Sequence, residues 1–176
     1  MTDFNATQED IVEEFSVFED WLDRYNYLIE LGNDLPSIDP KYRTSEYLIN
    51  GCQSKVWLHA DLEDGKLQFN ADSDAIIVKG IVALLVKLMN NRTPAEILEN
   101  DLFFIDGIGL RQNLSPTRSN GLLAMVKKMR LYAMAYQAKE NQKRKHERIT
   151  GFFRDRRKDC GGTENSVRPG DPCECI

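Results

Sequence analysis

Residues 55–71 read "KVWLHADLEDGKLQFNA". Val56, Leu58, Ala60 and Leu62 alternate with polar or amphipathic residues, and Leu67, Phe69 and Ala71 do so after a break. Period-two alternation marks strands with one buried face. Asp64-Gly65 between the two runs is a strong signal for a tight hairpin turn. The stretch therefore predicts one antiparallel hairpin, and the flanks supply its cover.

On the C-terminal side, "DSDA" at 72–75 offers carboxylate and hydroxyl caps for a helix starting near residue 74. Through residue 89 that helix is apolar nearly all round, which implies a central, covered position. Its apolar run, Ile76 to Met89, is interrupted by Lys79 and Lys87 and is too short to span a bilayer. Thr93-Pro94 opens a short helix, with Glu96 three residues after the cap. Residues 101–114 are less periodic. Ser115-Pro116 begins the last strong helix, with a stripe of Leu122, Met125, Val126, Met129, Ala133 and Tyr136.

On the N-terminal side, Ile11, Val12, Phe15, Phe18, Leu22, Tyr25, Leu28 and Ile29 recur at spacings of three and four. They predict one amphipathic helix over residues 8–31, stopped by Gly32 and Asn33. Pro36 and Pro40 hold the next segment in a loop. The class is α+β, one small antiparallel sheet covered by helices, with room for a third strand within 42–49.

The 176 residues, 41% hydrophobic and 29% charged, have the composition of a soluble globular protein. Residues 1–138 form the expected domain; 139–176 read as a charged tail, helical and then disordered. The domain carries 13 Lys and Arg against 21 Asp and Glu, the tail 10 against 7. An acidic body argues against nucleic-acid binding, which needs clustered cations. The N-terminal "MTDFNATQEDIVEEF" has neither the apolar core of a secretory signal nor the Arg-rich, acid-poor character of a transit peptide. The expected location is cytoplasmic, with no membrane association.

The cysteines fall at 52, 160, 173 and 175, so the body holds one and no internal disulfide. Cys52 lies in "NGCQS", after a glycine turn and before the first strand. Turn position favours exposure, and Gln53, Ser54 and free backbone N–H groups are candidate donors to a thiolate. A reactive thiol and an incidental small hydrophobe both fit this placement. His59, seven residues on, suggests a Cys–His dyad, although nothing brings it back to the turn, and a partly exposed strand histidine fits better. One cysteine and one histidine cannot close a tetrahedral metal site in the body. Arg118 sits in the first turn of the last helix, where a cation opposes the macrodipole. It is either solvated or aimed at an anion, such as a Cys52 thiolate or a partner's carboxylate.

Several segments resemble one family. "GCQSKVW" at 51–57, "DSDAIIVKG" at 72–80 and "LSPTRSNGLLAM" at 114–125 are similar to SufE and its close relative CsdE. "YLIELG" at 27–32 followed by "LP" at 35–36, and "TPAEI" at 93–97, match in order and spacing. The resemblance covers roughly residues 8–138. It implies a sulfur acceptor and activator of a PLP-dependent cysteine desulfurase (SufS- or CsdA-like) in bacterial iron–sulfur cluster assembly. The chain would be a sulfur-transfer protein rather than a stand-alone enzyme. Cys52 would carry the sulfur as a persulfide and pass it to a downstream acceptor or scaffold. Gly51, Gln53 and Ser54 would shape the loop, and Arg118 would lie near the sulfur or the partner. No cofactor or metal is implied on this chain, since the PLP belongs to the partner. A persulfide needs shelter, so Cys52 is expected to be tucked against apolar residues until docking moves its loop. The implied fold is shared with IscU-type scaffolds, which keeps a cluster scaffold as an alternative beside an unrelated Cys–His enzyme. His59 inherits no role. The tail cysteines Cys160, Cys173 and Cys175 lie beyond the resemblance. Cys173-Glu174-Cys175 has a spacing suited to a soft metal or a sulfur relay, though its composition reads as a disordered end; as a prenylation box "CECI" fails on Glu174.

Overall fold

The computed structural model describes residues 3–155, with side chains for 4–146. The chain divides into two units, Met1–Ala138 and Lys139–Ile176. Cys160, Cys173 and Cys175, with the tail's expected disorder, fall outside the described residues.

The hairpin forms as its alternation dictates. Strands β1 (Val56–Glu63) and β2 (Lys66–Ser73) pair antiparallel from Val56↔Ser73 to Glu63↔Lys66. Asp64 and Gly65 both take positive φ, 50° and 77°, as a tight turn matched to strand twist requires. Val56, Leu58, Ala60, Leu67, Phe69 and Ala71 are buried, so one face lies against the helices.

A two-stranded hairpin is marginal in water, and its unpaired edges need partners. Both edges are occupied. Along β1, Ile49 N–H donates to Val56 O and Leu58 N–H to Tyr47 O. Farther along, the hydroxyls of Tyr132 and Tyr136 donate to the carbonyls of Leu58 and Ala60. Along β2, Leu67 exchanges bonds with Arg92 O and Asn91 N–H. The Asn90 side chain then imitates a strand, accepting from Phe69 N–H at 2.7 Å and donating to Phe69 O at 3.3 Å. The segment considered for a third strand thus contributes a single bridge, Leu48↔Trp57, and the sheet has two strands.

Helix α3 (Ile76–Met89) runs through the core, buried at Val78, Gly80–Val86, Leu88 and Met89. The expected caps of α3 are used otherwise. Its N-cap is Ala75, with no side-chain cap bond; Asp72 and Asp74 bind the segment before β1 instead. Helices α4 (Pro94–Glu99), α5 (Phe104–Gly107) and α6 (Leu110–Asn113) follow, α4 with the expected Thr93/Glu96 capping box. The long α7 spans Pro116–Asp155, burying Leu122, Met125, Met129 and Ala133. Among the described residues no helix is long and apolar enough to cross a membrane.

The N-terminal region corrects the sequence reading. Instead of one helix over 8–31 there are two, α1 (Asp3–Ser16) and α2 (Trp21–Asp34). The break lets the rings of Phe15, Phe18 and Tyr27 close on one another, at 5.1–6.3 Å between centroids. Asp20 caps α2 by accepting from Asp23 N–H, and Arg24 takes up the carbonyl of Phe18 at the bend. Leu22, counted in the apolar stripe, is 69% exposed. Nor does Gly32 stop the helix. It lies inside α2 where α2 crosses α3, and a Cβ there would fall 2.8 Å from Gly80 N. Pro36 forces Leu35 out of helical conformation, and α2 ends before it.

Candidate functional site: the Cys52 loop

The site lies in the excursion from Arg43 to Lys55, between the loop after α2 and β1. Three consecutive residues at the end of β2 clamp both its ends. Asp72, 1% exposed, pairs with Arg43 at the entry and with Lys79 of α3 at 3.3 Å. Ser73 Oγ–H donates to Lys55 O at 3.0 Å, and Lys55 N–H donates to Asp74 Oδ1 at 2.9 Å at the exit. Burial alone would raise the Asp72 carboxyl; Arg43, the Ser73 N–H and Lys79 outweigh it and hold the group below the ordinary carboxylate range.

Between these clamps the chain turns at Gly51, whose φ of 96° is left-handed and suits glycine. The turn directs Cys52 inward, where the residue is half-buried and packs on the core. Its S–H donates to the carbonyl of Gly121 in α7 at 3.5 Å. A cavity of about 100 Å³ opens beside the sulfur, lined by Cys52, Gln53, Ser54, Thr117, Arg118 and Gly121, with Val78, Ile81 and Met125 as apolar wall. The structure thus brings Cys52, Gln53, Ser54 and Arg118 to one cavity, while Gly51 shapes the turn outside its lining. Arg118 stands exposed at the rim.

Burial pushes the Cys52 thiol above its ordinary value. A carbonyl at the S–H and apolar walls both favour the neutral form, so in this conformation Cys52 rests as a thiol. His59 is not part of the site. It stacks on Tyr42 at 3.8 Å, meets Tyr47 edge-on and pairs with Asp61 at 2.9 Å, all on the outer face of β1. The Cys–His dyad does not form. Among the described residues no group of three or more His, Cys, Asp or Glu side chains is placed to hold a metal ion.

Sequence reading missed Gly121, Val78 and Ile81 as site walls, and the clamping role of Asp72-Ser73-Asp74. The signal was present in "DSDA", but a carboxylate before a helix reads first as a cap.

The SufE family model, described as an Fe-S metabolism associated domain, matches residues 9–133. The chain belongs to the SufE family. An uncharacterized SufE-like protein of Rhizobium etli is 43% identical over 132 residues, spanning 72% of this chain and 89% of that protein. One from Synechocystis is 41% identical over 127 residues, 72% of this chain and 80% of the relative. The solution structure of a hypothetical protein from Thermus thermophilus superposes with a TM-score of 0.63 at 25% identity, covering 75% of this chain and 96% of that one. Membership of the SufE family places the chain in iron–sulfur metabolism and agrees with the α+β fold.

Proposed function

We propose that this SufE-family chain accepts sulfane sulfur on Cys52 from the persulfide of a PLP-dependent cysteine desulfurase, activates that enzyme, and hands the sulfur to a downstream acceptor. The observation that carries the reading is the placement of Cys52. It is the one cysteine among the described residues, set on a clamped turn and half-sheltered beside a cavity with an arginine at its rim.

The chemistry balances without a cofactor on this chain. Cys52 loses its proton and attacks the outer sulfur of the donor persulfide. A new S–S bond forms as the donor's S–S bond breaks, and the donor cysteine leaves as thiolate. In the resting structure the thiol form dominates and the sulfur faces α7, so transfer requires the loop to turn outward on docking. There Arg118 is available to favour the thiolate. After transfer the loop folds back and shields the persulfide from small thiols.

The test is mass spectrometry of the chain after incubation with a desulfurase and cysteine. The expected result is a gain of about 32 Da, one sulfur, on the peptide containing Cys52. Cys52→Ser should bind the desulfurase yet lose its stimulation. Full stimulation by that variant would sink the proposal.

A further inference from the structure

Gly121 presents an anomaly. Glycine weakens a helix interior relative to alanine, and Gly121 is not among the residues of positive φ, so the backbone does not call for it. Its reason lies across the cavity. A Cβ on Gly121 would stand 3.3 Å from Cys52 Sγ, 3.8 Å from its Cβ and 3.9 Å from its Cα. Helix α7 therefore approaches the cysteine closely enough that a Cβ at this position would press on the sulfur.

We propose that Gly121 is a positioning residue that keeps open the space next to Cys52 Sγ, where the second sulfur of a Cys52 persulfide sits while the loop is folded back. The inference rests on the reading of Cys52 as a sulfur acceptor. A persulfide lengthens the side chain by one S–S bond of about 2 Å. A void of about 100 Å³ exceeds the roughly 30 Å³ share of one water-sized occupant. Val78, Ile81 and Met125 form one apolar wall against which a soft, polarisable atom can pack, opposite the polar side made by Gln53, Ser54, Thr117 and Arg118. A methyl group on residue 121 would compete with the added sulfur for this space. The bare thiol would meet only a tight contact.

The test uses the full chain with no desulfurase. Cys52 is converted to its mixed disulfide with thionitrobenzoate and treated with hydrosulfide. Hydrosulfide attacks Sγ, the new S–S bond forms as the old one breaks, and thionitrobenzoate leaves as its thiolate. Loss of the added sulfur to glutathione is followed on the tryptic peptide 44–55, which separates Cys52 from the tail cysteines. Each rate is divided by that of the same adduct in the urea-unfolded chain. In Gly121→Ala the persulfide should be lost about tenfold faster than in the unsubstituted chain, while alkylation of the reduced thiol changes less than about twofold. Equal persulfide lifetimes would overturn the proposal.

A second measurement avoids substitution. The thionitrobenzoate mixed disulfide already made on Cys52 carries a charged aromatic ring too large for a void of about 100 Å³, so it should be reduced about tenfold faster than the persulfide on the same scale. Equal protection of both adducts would also overturn the proposal. Failure in either assay leaves the acceptor reading intact. A chain that shelters the chemical persulfide yet takes no sulfur from a desulfurase would refute that reading alone.

Discussion

The hairpin with α3 and the Cys52 loop lie side by side and are held in different ways. In the hairpin, backbone bonds, two tyrosine hydroxyls and the Asn90 amide occupy both edges, and the inner face is buried. The loop is fixed at its two ends by Asp72, Ser73 and Asp74, whereas the Cys52 side chain is held by one long S–H···O contact. A sulfur–carbonyl bond is weak, and the cavity beside it removes part of the packing. The contrast teaches that a rigid frame can fix where a loop begins and ends while leaving its tip free to turn. The proposed acceptor role, which must both shelter and present a sulfur, needs that division.

The largest expected effect tests the frame. A Cβ on Gly80 would fall 2.1 Å from Leu28 O where α2 crosses α3. Gly80→Ala should cost about 3 kcal/mol or more, read as a lower denaturation midpoint. A near-neutral result would mean that the crossing is not tightly packed.

The clamp comes next. Asp72→Ala should destabilise the chain by about 2–3 kcal/mol, below the usual range for a broken buried pair because Arg43 is half exposed. The pH dependence has a definite sign. Asp72 sits below its ordinary range in the folded chain, so its contribution is present above the unfolded carboxylate value, about 4. It disappears as pH falls through the lower folded value. Stability of the Asp72→Ala variant should consequently be flatter below pH of about 4 than that of the parent. Parallel curves would remove the carboxylate from the account.

The smallest effect belongs to the tip. Burial raises the Cys52 thiol, so its alkylation by iodoacetamide should climb with pH at values above those of an unfolded-chain cysteine. Alkylation already complete in rate near neutrality would mean an exposed, activated thiolate and would erase the difference between loop and frame.

Much of the frame was legible because local rules and tertiary packing agree there. Val56–Leu62, Asp64-Gly65 and Leu67–Ala71 carry alternation and turn chemistry that hold in any context. Thr93 with Glu96 behaves likewise, because a capping box is satisfied within four residues. Agreement failed where a residue serves a distant partner. Periodicity ran through residues 17–20 because Phe18 and Leu22 keep helical spacing, yet ring packing and the Asp20 cap make a bend. Gly32 resembles a stop signal and serves as a crossing point. The carboxylates of "DSDA" resemble caps and are drawn off by Arg43, Lys79 and Lys55.

The sequence by itself determined the hairpin, the buried α3, the family and the placement of one cysteine on a glycine turn, since each rests on neighbours in the chain or on motif order. Tertiary structure decided how this cysteine points inward and meets Arg118 and Gln53 at one cavity, which the resemblance only implied, and it alone decided that His59 stays apart and that Gly121 leaves a space against the sulfur. Those outcomes depend on α7 lying across a loop 69 residues earlier in the chain. No local propensity encodes a contact over that separation; it follows from the shared core that seats α3, β1 and α7 together.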